Sequence, residues 1–195
     1  MTQPTYCLIA GVNGAGKSSL YSLQPGIVKG TRRINADEIL RQNHGDWHRP
    51  MDNFRAMRTE LTEIKAALAN QESIHVETTL AGNGKTHLKL IAEAKSQGYE
   101  VELIYITLDQ APTAIRRVQD RVSKGGHGIA PALITKRFRQ SRLNLPIIAA
   151  QCDEIMIYDN TKRLALVYDQ RKQRVAYNRL VEYPWLHDVA SQMPF

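Results

Sequence analysis

The stretch that most restricts what this chain can become is Gly11-Val12-Asn13-Gly14-Ala15-Gly16-Lys17-Ser18, a full GxxxxGK[ST] pattern directly after the apolar run Tyr6 to Ala10. Glycines at these positions let the backbone wrap around a polyphosphate with its N–H groups turned inward. The Lys17 ammonium then reaches the outer phosphates, and the Ser18 hydroxyl reaches a magnesium ion. Gly11, Asn13, Gly14, Ala15, Gly16, Lys17, Ser18 and Ser19 are therefore the expected nucleotide contacts. An extended segment enters the loop and a helix, predicted from Lys17 to about Leu23, leaves it, so that a helix N-terminus faces the anion.

Apolar, β-branched segments alternate with helical patterns along the rest of the chain, which argues for parallel strands joined by helical crossovers. The expected fold is α/β: a doubly wound, mostly parallel five-stranded sheet of the P-loop kinase type, with a helical lid at about 117–142. Strands are predicted at about 5–10, 32–35, 73–78, 100–108 and 153–158, and helices near 17–23, 37–43, 51–70, 84–97, 111–124 and 132–144. In the third helix Phe54, Met57, Leu61, Ile64 and Leu68 share one face and read as a core stripe. In the fifth, Ile115, Val118 and Val122 are expected to face inward. Beyond Tyr158, Asp159-Asn160-Thr161 reads as a turn, and Leu164 to Asp169 with Arg174 to Tyr177 as a short terminal hairpin. No repeat or low-complexity linker divides the chain, so residues 1–195 are treated as one domain.

Charge narrows the class of ligand less than the motif does. The net charge of +7 suits a protein that handles phosphorylated ligands and would equally serve nucleic acid, but Lys162, Arg163, Arg171, Lys172 and Arg174 are interrupted by apolar and acidic positions. They read as a solvated basic face, and nucleic acid is not the expected partner. Cys7 and Cys152 border apolar runs without metal-ligand or CxxC spacing, as expected of buried reduced thiols. No basic leader precedes an apolar segment, and no run of about eighteen apolar residues occurs. The expected setting is the cytoplasm, with no membrane partner.

A phosphate loop does not say where the terminal phosphoryl group goes. In a doubly wound sheet ligands sit beyond the carboxyl ends of the strands, so polar residues just after strands are the candidates. Asp37, with Glu38 beside it, follows the second strand on the rim that carries Lys17, and can either accept a hydroxyl proton or cap its helix. Glu77, Thr78 and Thr79 end the third strand, where they suit a polyhydroxylated substrate; alternatively Thr79 caps a turn and Glu77 pairs with an arginine. Arg117 and Arg121 stand four apart on a helix that runs into Gly125-Gly126-His127, followed by a second basic helix with Lys136, Arg137, Arg139 and Arg142. A basic lid of this kind brings positive charge onto a triphosphate as it closes. Two other patterns have simpler readings. Asp109 follows a strand as an ATPase acid would, yet Pro112 makes a helix cap the better expectation. His44 and His48 have i, i+4 spacing but lack a third ligand, so a metal site is not expected.

The ordered set GxNGAGKS, NADE, ETT, RVxxRVxxGGH, QSRxNLP and YDN, spanning about residues 5–160, resembles the zeta-toxin family of small-molecule kinases in its compact branch. The resemblance implies ATP- or GTP-dependent phosphorylation of the 3′-hydroxyl of UDP-N-acetylglucosamine, with magnesium, and restraint by a cognate antitoxin. It makes Asp37 the general base and Lys17 and Ser18 the triphosphate and magnesium contacts. Glu77 and Thr78, with Glu38, become substrate contacts, and Arg121, Arg117 and Arg137 supply lid charge. Two alternatives remain open from the residues: a kinase of NAD or of a polynucleotide end, and a non-catalytic switch in which the loop holds nucleotide and the basic face engages a partner.

Overall fold

The computed structural model describes residues 3–193. Five strands run parallel: β1 (Thr5–Ala10), β2 (Arg32–Ile34), β3 (Ile74–Thr78), β4 (Glu100–Thr107) and β5 (Glu154–Asp159). Two more, β6 (Ala165–Arg171) and β7 (Arg174–Asn178), pair antiparallel beyond β5, giving one seven-stranded sheet in the order β2-β3-β1-β4-β5-β6-β7. The anticipated terminal hairpin is therefore an extension of the sheet rather than a separate unit. Its turn places Lys172 and Gln173 at φ 46° and 63°, the left-handed pair that a two-residue hairpin turn demands.

The helices are α1 (Lys17–Leu23), α2 (Ala36–Gln42), α3 (Pro50–Ala69), α4 (Lys85–Ser96), α5 (Ala111–Ser123), α6 (Pro131–Ala149) and the short α7 (His187–Ala190). Alternation along β1 sends Tyr6, Leu8 and Ala10 into one layer and Cys7 and Ile9 into the other. The first layer packs under α2, α3, α4 and the end of α6; the second takes Leu20 of α1, Ala114 and Val118 of α5, and Ile134 of α6. Cys7 and Cys152 are buried free thiols, as the sequence suggested.

Several expectations need correction. Ile64 and Leu68 of the α3 stripe are buried and Leu61 is partly so, but Phe54 and Met57 are more than half exposed. Met57 lines an open cavity beneath α3 that is bordered by Tyr6 of β1 and Val76 of β3, so this stretch of the stripe is not packed against the sheet, although Ala56 beside it is buried. On α5, Val118 is buried, Ile115 is partly so, and Val122 in the last turn is exposed. Helix α6 does not stop before Pro146 but continues to Ala149. Proline forfeits one backbone hydrogen bond there, and burial of Leu145, Ile148 and Ala149 offsets it. The chain after residue 178 also contributes more than expected. Leu180, Leu186, Val189 and Met193 are buried in the first layer, and the Trp185 indole donates to Asp159 Oδ2 at 3.2 Å.

Candidate active site

Because β1 to β5 are parallel, the segments leaving them share one rim, and a cavity of about 1080 Å³ opens there. Its floor is the loop between β1 and α1. Gly11, Gly14 and Gly16 have φ of +146°, +83° and +100°, which L side chains rarely adopt. A Cβ at Gly11 would lie 2.4 Å from the Ile106 carbonyl oxygen, and one at Gly14 2.6 Å from that of Ala114. The loop can thus be built only from glycine at these points, and it forms the backbone cradle that a polyphosphate requires. Lys17 donates to the Gly11 carbonyl at 2.6 Å, which curls its side chain across the loop. Burial pushes the Lys17 amine down to about 8; Glu77 and Asp37 pull it upward, and Arg121 and Arg137 add to the depression. Ser18 and Ser19 are exposed in the first turn of α1, and both line the cavity. Ala15 is buried within the loop.

Asp37 lines the same cavity from the first turn of α2. The cap of that helix is Asn35, whose Oδ1 accepts from the Glu38 amide at 3.1 Å, so Asp37 is not used as a cap. Among the described residues its carboxylate has no hydrogen-bond or ion-pair partner, and its charge acts on Lys17, His127 and Arg137. Glu38 also lines the cavity, paired with Arg33 at 3.4 Å and Arg41 at 3.3 Å.

Glu77, at the end of β3, pairs with an arginine, one of the two sequence readings, and also borders the cavity. Its Oε1 accepts from Arg33 Nε at 2.9 Å and from the Tyr21 hydroxyl at 3.1 Å, while the residue borders both the main cavity and a second one of about 460 Å³. The second cavity runs beneath α3 between Met57, Leu61 and Leu133, with Thr78, Thr79, His87, Arg137 and Gln140 as polar lining. Thr78 is already engaged: its hydroxyl accepts from the Leu80 amide at 3.1 Å and meets His87 Nε2 at 3.1 Å. Thr79 caps the following turn through the Ala81 amide at 3.4 Å. Burial pushes the Glu60 carboxyl, also in this cavity, up to about 7, against the pull of the Ala36 amide that it accepts.

Arg117, Arg121 and Arg137 are each held by different partners. Arg117 donates to the carbonyls of Asn160 and Thr161 at 2.7 and 3.1 Å. Arg121 donates from Nε to the His127 carbonyl at 2.9 Å, and Arg137 from Nη1 to Asn13 Oδ1 at 2.9 Å. Arg117 and Arg121 line the main cavity; Arg137 lines the second and reaches the loop through Asn13. Asp109 lies outside both cavities. It accepts the Gln110 amide at 2.8 Å, and its own amide donates to Thr161 Oγ1 at 2.9 Å. His48 pairs with Asp46, and among the described residues no group of three or more His, Cys, Asp or Glu could hold a metal. Were a magnesium ion bound with the nucleotide, the Ser18 hydroxyl, exposed on this cavity, could serve as its protein ligand.

Sequence reasoning missed several residues that line or brace the site. Asn160 Nδ2 donates to the Ala15 carbonyl at 2.8 Å, bracing the phosphate loop from the end of β5. Arg33 and Tyr21 fix Glu77, and Trp47 and His127 stack at 4.9 Å on the opposite wall. Asn160 carried a signal, an amide directly after a buried strand that reaches the ligand rim; Trp47 sits in an irregular segment and carried none.

Three comparisons with known proteins agree with this architecture. An uncharacterized protein of Haemophilus influenzae is 31% identical over 133 residues, covering 68% of this chain and 89% of its own length. A crystal structure of AvrRxo1-ORF1:-ORF2 with ATP superposes with a TM-score of 0.69 at 16% identity, covering 93% of this chain. A structure from the PezAT chromosomal toxin–antitoxin system of Streptococcus pneumoniae gives 0.62 at 21% identity, covering 87% of this chain and 72% of its own. The chain spans 62% of the length of the AvrRxo1 chain it matches. The zeta toxin family pattern runs through residues 1–173, from the first strand into the terminal hairpin, and the chain accordingly belongs to the zeta toxin family.

Proposed function

We propose that the protein is a magnesium-dependent phosphotransferase that moves the γ-phosphoryl group of ATP or GTP to an alcohol. The acceptor class is a nucleotide sugar, with the 3′-hydroxyl of UDP-N-acetylglucosamine as the leading candidate. The observation that carries this reading is the unpartnered carboxylate of Asp37 in the cavity that holds Lys17, Arg117 and Arg121, bordered through Glu77 by a second cavity. A non-catalytic nucleotide switch needs neither feature.

Phosphoryl transfer asks the protein for position and charge more than for covalent chemistry. The loop amides and Lys17 would hold the triphosphate, and Ser18 would contribute a ligand to magnesium, which when bound neutralises charge between the outer phosphates. Asp37 would take the proton from the attacking hydroxyl, an assistance typically worth about 10² to 10⁴ in rate. Arg121 and Arg117 would meet the charge that develops on the transferred group, and Arg137 would steady Asn13 beside it; an arginine in such a role is worth about 10³ to 10⁵. Glu77 is oriented by Arg33 and Tyr21, and its other oxygen is available to an acceptor hydroxyl. The second cavity, apolar on the α3 side and polar along β3, offers an acceptor both a packing wall and hydrogen-bond partners.

The family also supports a toxin role, and an antitoxin protein is the partner we propose, since PezAT is a toxin–antitoxin system. The test is an acceptor panel: γ-labelled ATP with UDP-N-acetylglucosamine, other UDP-sugars, NAD and an oligonucleotide 5′-end. Label on the sugar nucleotide supports the reading. Label only on NAD or the oligonucleotide replaces the acceptor, and ATP binding without any labelled product removes the enzyme reading.

A further inference from the structure

Arg121 is the lid residue whose placement most needs an explanation. Among the described residues its guanidinium has no carboxylate partner, and the one hydrogen bond of its side chain runs from Nε to the carbonyl of His127. That carbonyl is only as fixed as the segment 125–128, which reads Gly-Gly-His-Gly. Glycine loses more backbone entropy on ordering than any other residue, so such a segment stays put only if something holds it. Part of the hold is local: the Gly125 and Gly126 amides donate to the carbonyls of Val122 and Arg121, each at 2.9 Å, closing the end of α5. Gly126 also lies under the Arg121 stem, where a Cβ would come within 2.6 Å of Cγ.

The rest of the hold comes from the connection between α2 and α3. Trp47, in the connection between α2 and α3, stacks on the His127 ring with centroids 4.9 Å apart and planes 28° from parallel. Its ring also packs on Gly128, where an added Cβ would lie 3.0 Å from Cη2. Trp47 is itself anchored, because its carbonyl accepts from Asn53 Nδ2 at 2.8 Å and its ring stacks on His48 at 3.5 Å. His48 in turn is held by Asp46, which accepts from its amide at 2.9 Å and meets its Nδ1 at 2.8 Å. An unbroken chain of contacts therefore runs from the start of α3 through Trp47 and His127 to the guanidinium of Arg121.

We infer that Trp47 is a positioning residue: by stacking on His127 it clamps the glycine hinge and so holds Arg121 over the cavity. The inference rests on the proposed phosphoryl transfer for its catalytic consequence, but the clamp itself has a signature independent of turnover. A stacked aromatic pair is worth about 0.5–1.5 kcal/mol beyond its area, or roughly 3- to 10-fold in an opening equilibrium. Hydrogen exchange at the Gly125 and Gly126 amides should accelerate by about that factor in Trp47→Ala and recover in Trp47→Phe, which keeps a stacking ring. With ATP and the active acceptor, Trp47→Ala should lower kcat by a similar factor, roughly 3- to 10-fold, while KM for ATP moves by less than about twofold. In an Arg121→Ala background the same substitution should change kcat no further, since the group that it positions is gone.

Unchanged exchange in Trp47→Ala overturns the clamp, and an equal loss of kcat with and without Arg121 overturns its role in positioning. If Trp47→Ala does not fold, His127→Ala removes the same stack from the hinge side and must give the same two results. Absence of any phosphoryl transfer by the wild-type protein counts against the proposed function, and the exchange measurement still decides the clamp.

Discussion

Asn160 offers a quantitative handle on the phosphate loop. Its backbone is fixed independently of its side chain, because the Asn160 amide donates to Thr107 at 3.0 Å and its carbonyl accepts from Arg117 at 2.7 Å. The side-chain amide is therefore a clean probe of the brace to Ala15, a residue with no exposed surface. Asn160→Ala strips the buried Ala15 carbonyl of that donor, at a cost of about 1–3 kcal/mol. For a domain of this size that lowers Tm by roughly 2–10 °C. ATP affinity should fall about fivefold as well, since a loosened loop must be ordered again on binding. Asn160→Asp is the sharper variant. It sets a charged acceptor against the Ala15 carbonyl and close to the triphosphate, and ATP should bind at least about tenfold more weakly than to Asn160→Ala. Thermal unfolding with and without ATP, together with calorimetric titration, reads both quantities. A Tm within about 1 °C of wild type with unaltered ATP affinity, or an aspartate variant no worse than alanine, would refute the reasoning.

Two further predictions follow from titrating groups. With the Lys17 amine depressed to about 8, kcat/KM for ATP should fall about tenfold per pH unit above that point, as the free protein loses the positive charge in its loop. Lys17→Arg, although slower, should abolish that alkaline limb, because guanidinium does not titrate there; a wild-type profile flat to about pH 10 would contradict the assignment. Glu60 is raised from near 4.5 to about 7, so the folded state holds its proton more tightly than the unfolded chain, and stability drains away as pH rises through that interval. Glu60→Gln, which keeps an acceptor for the Ala36 amide, should gain roughly 1–2 kcal/mol at about pH 8 and little below about pH 5. Urea melts at the two pH values check it, and an equal effect at both would point to packing instead.

The features legible in the sequence were those enforced by backbone geometry. Gly11, Gly14 and Gly16 announce their positive φ angles, and a β-branched run followed by a polar residue locates the rim on which Asp37 and Glu77 stand. Periodicity was a weaker guide. It identified the face of α3 correctly, but nothing local tells which part of a face is covered, and Phe54 and Met57 are left exposed, Met57 beside the second cavity. The hairpin was visible, whereas its pairing with β5 depends on contacts that local pattern does not encode. Least legible were residues that act on other residues. Arg33 and Tyr21 fix Glu77 from 44 and 56 positions away, Asn160 braces a loop 145 positions away, and Trp47 of the α2–α3 connection stacks on His127 beyond α5. Such pairings come from the strand order, which places β2, β3, β1, β4 and β5 side by side only after folding.

The proton acceptor is the centre of the account, and Asp37→Asn tests it most directly, because the amide is nearly isosteric and Asn35 leaves the helix cap intact. Single-turnover transfer of labelled phosphate from ATP should slow by about 10² to 10⁴, with ATP affinity within about twofold of wild type. An Asp37→Asn protein that transfers phosphate at the wild-type rate would contradict the account.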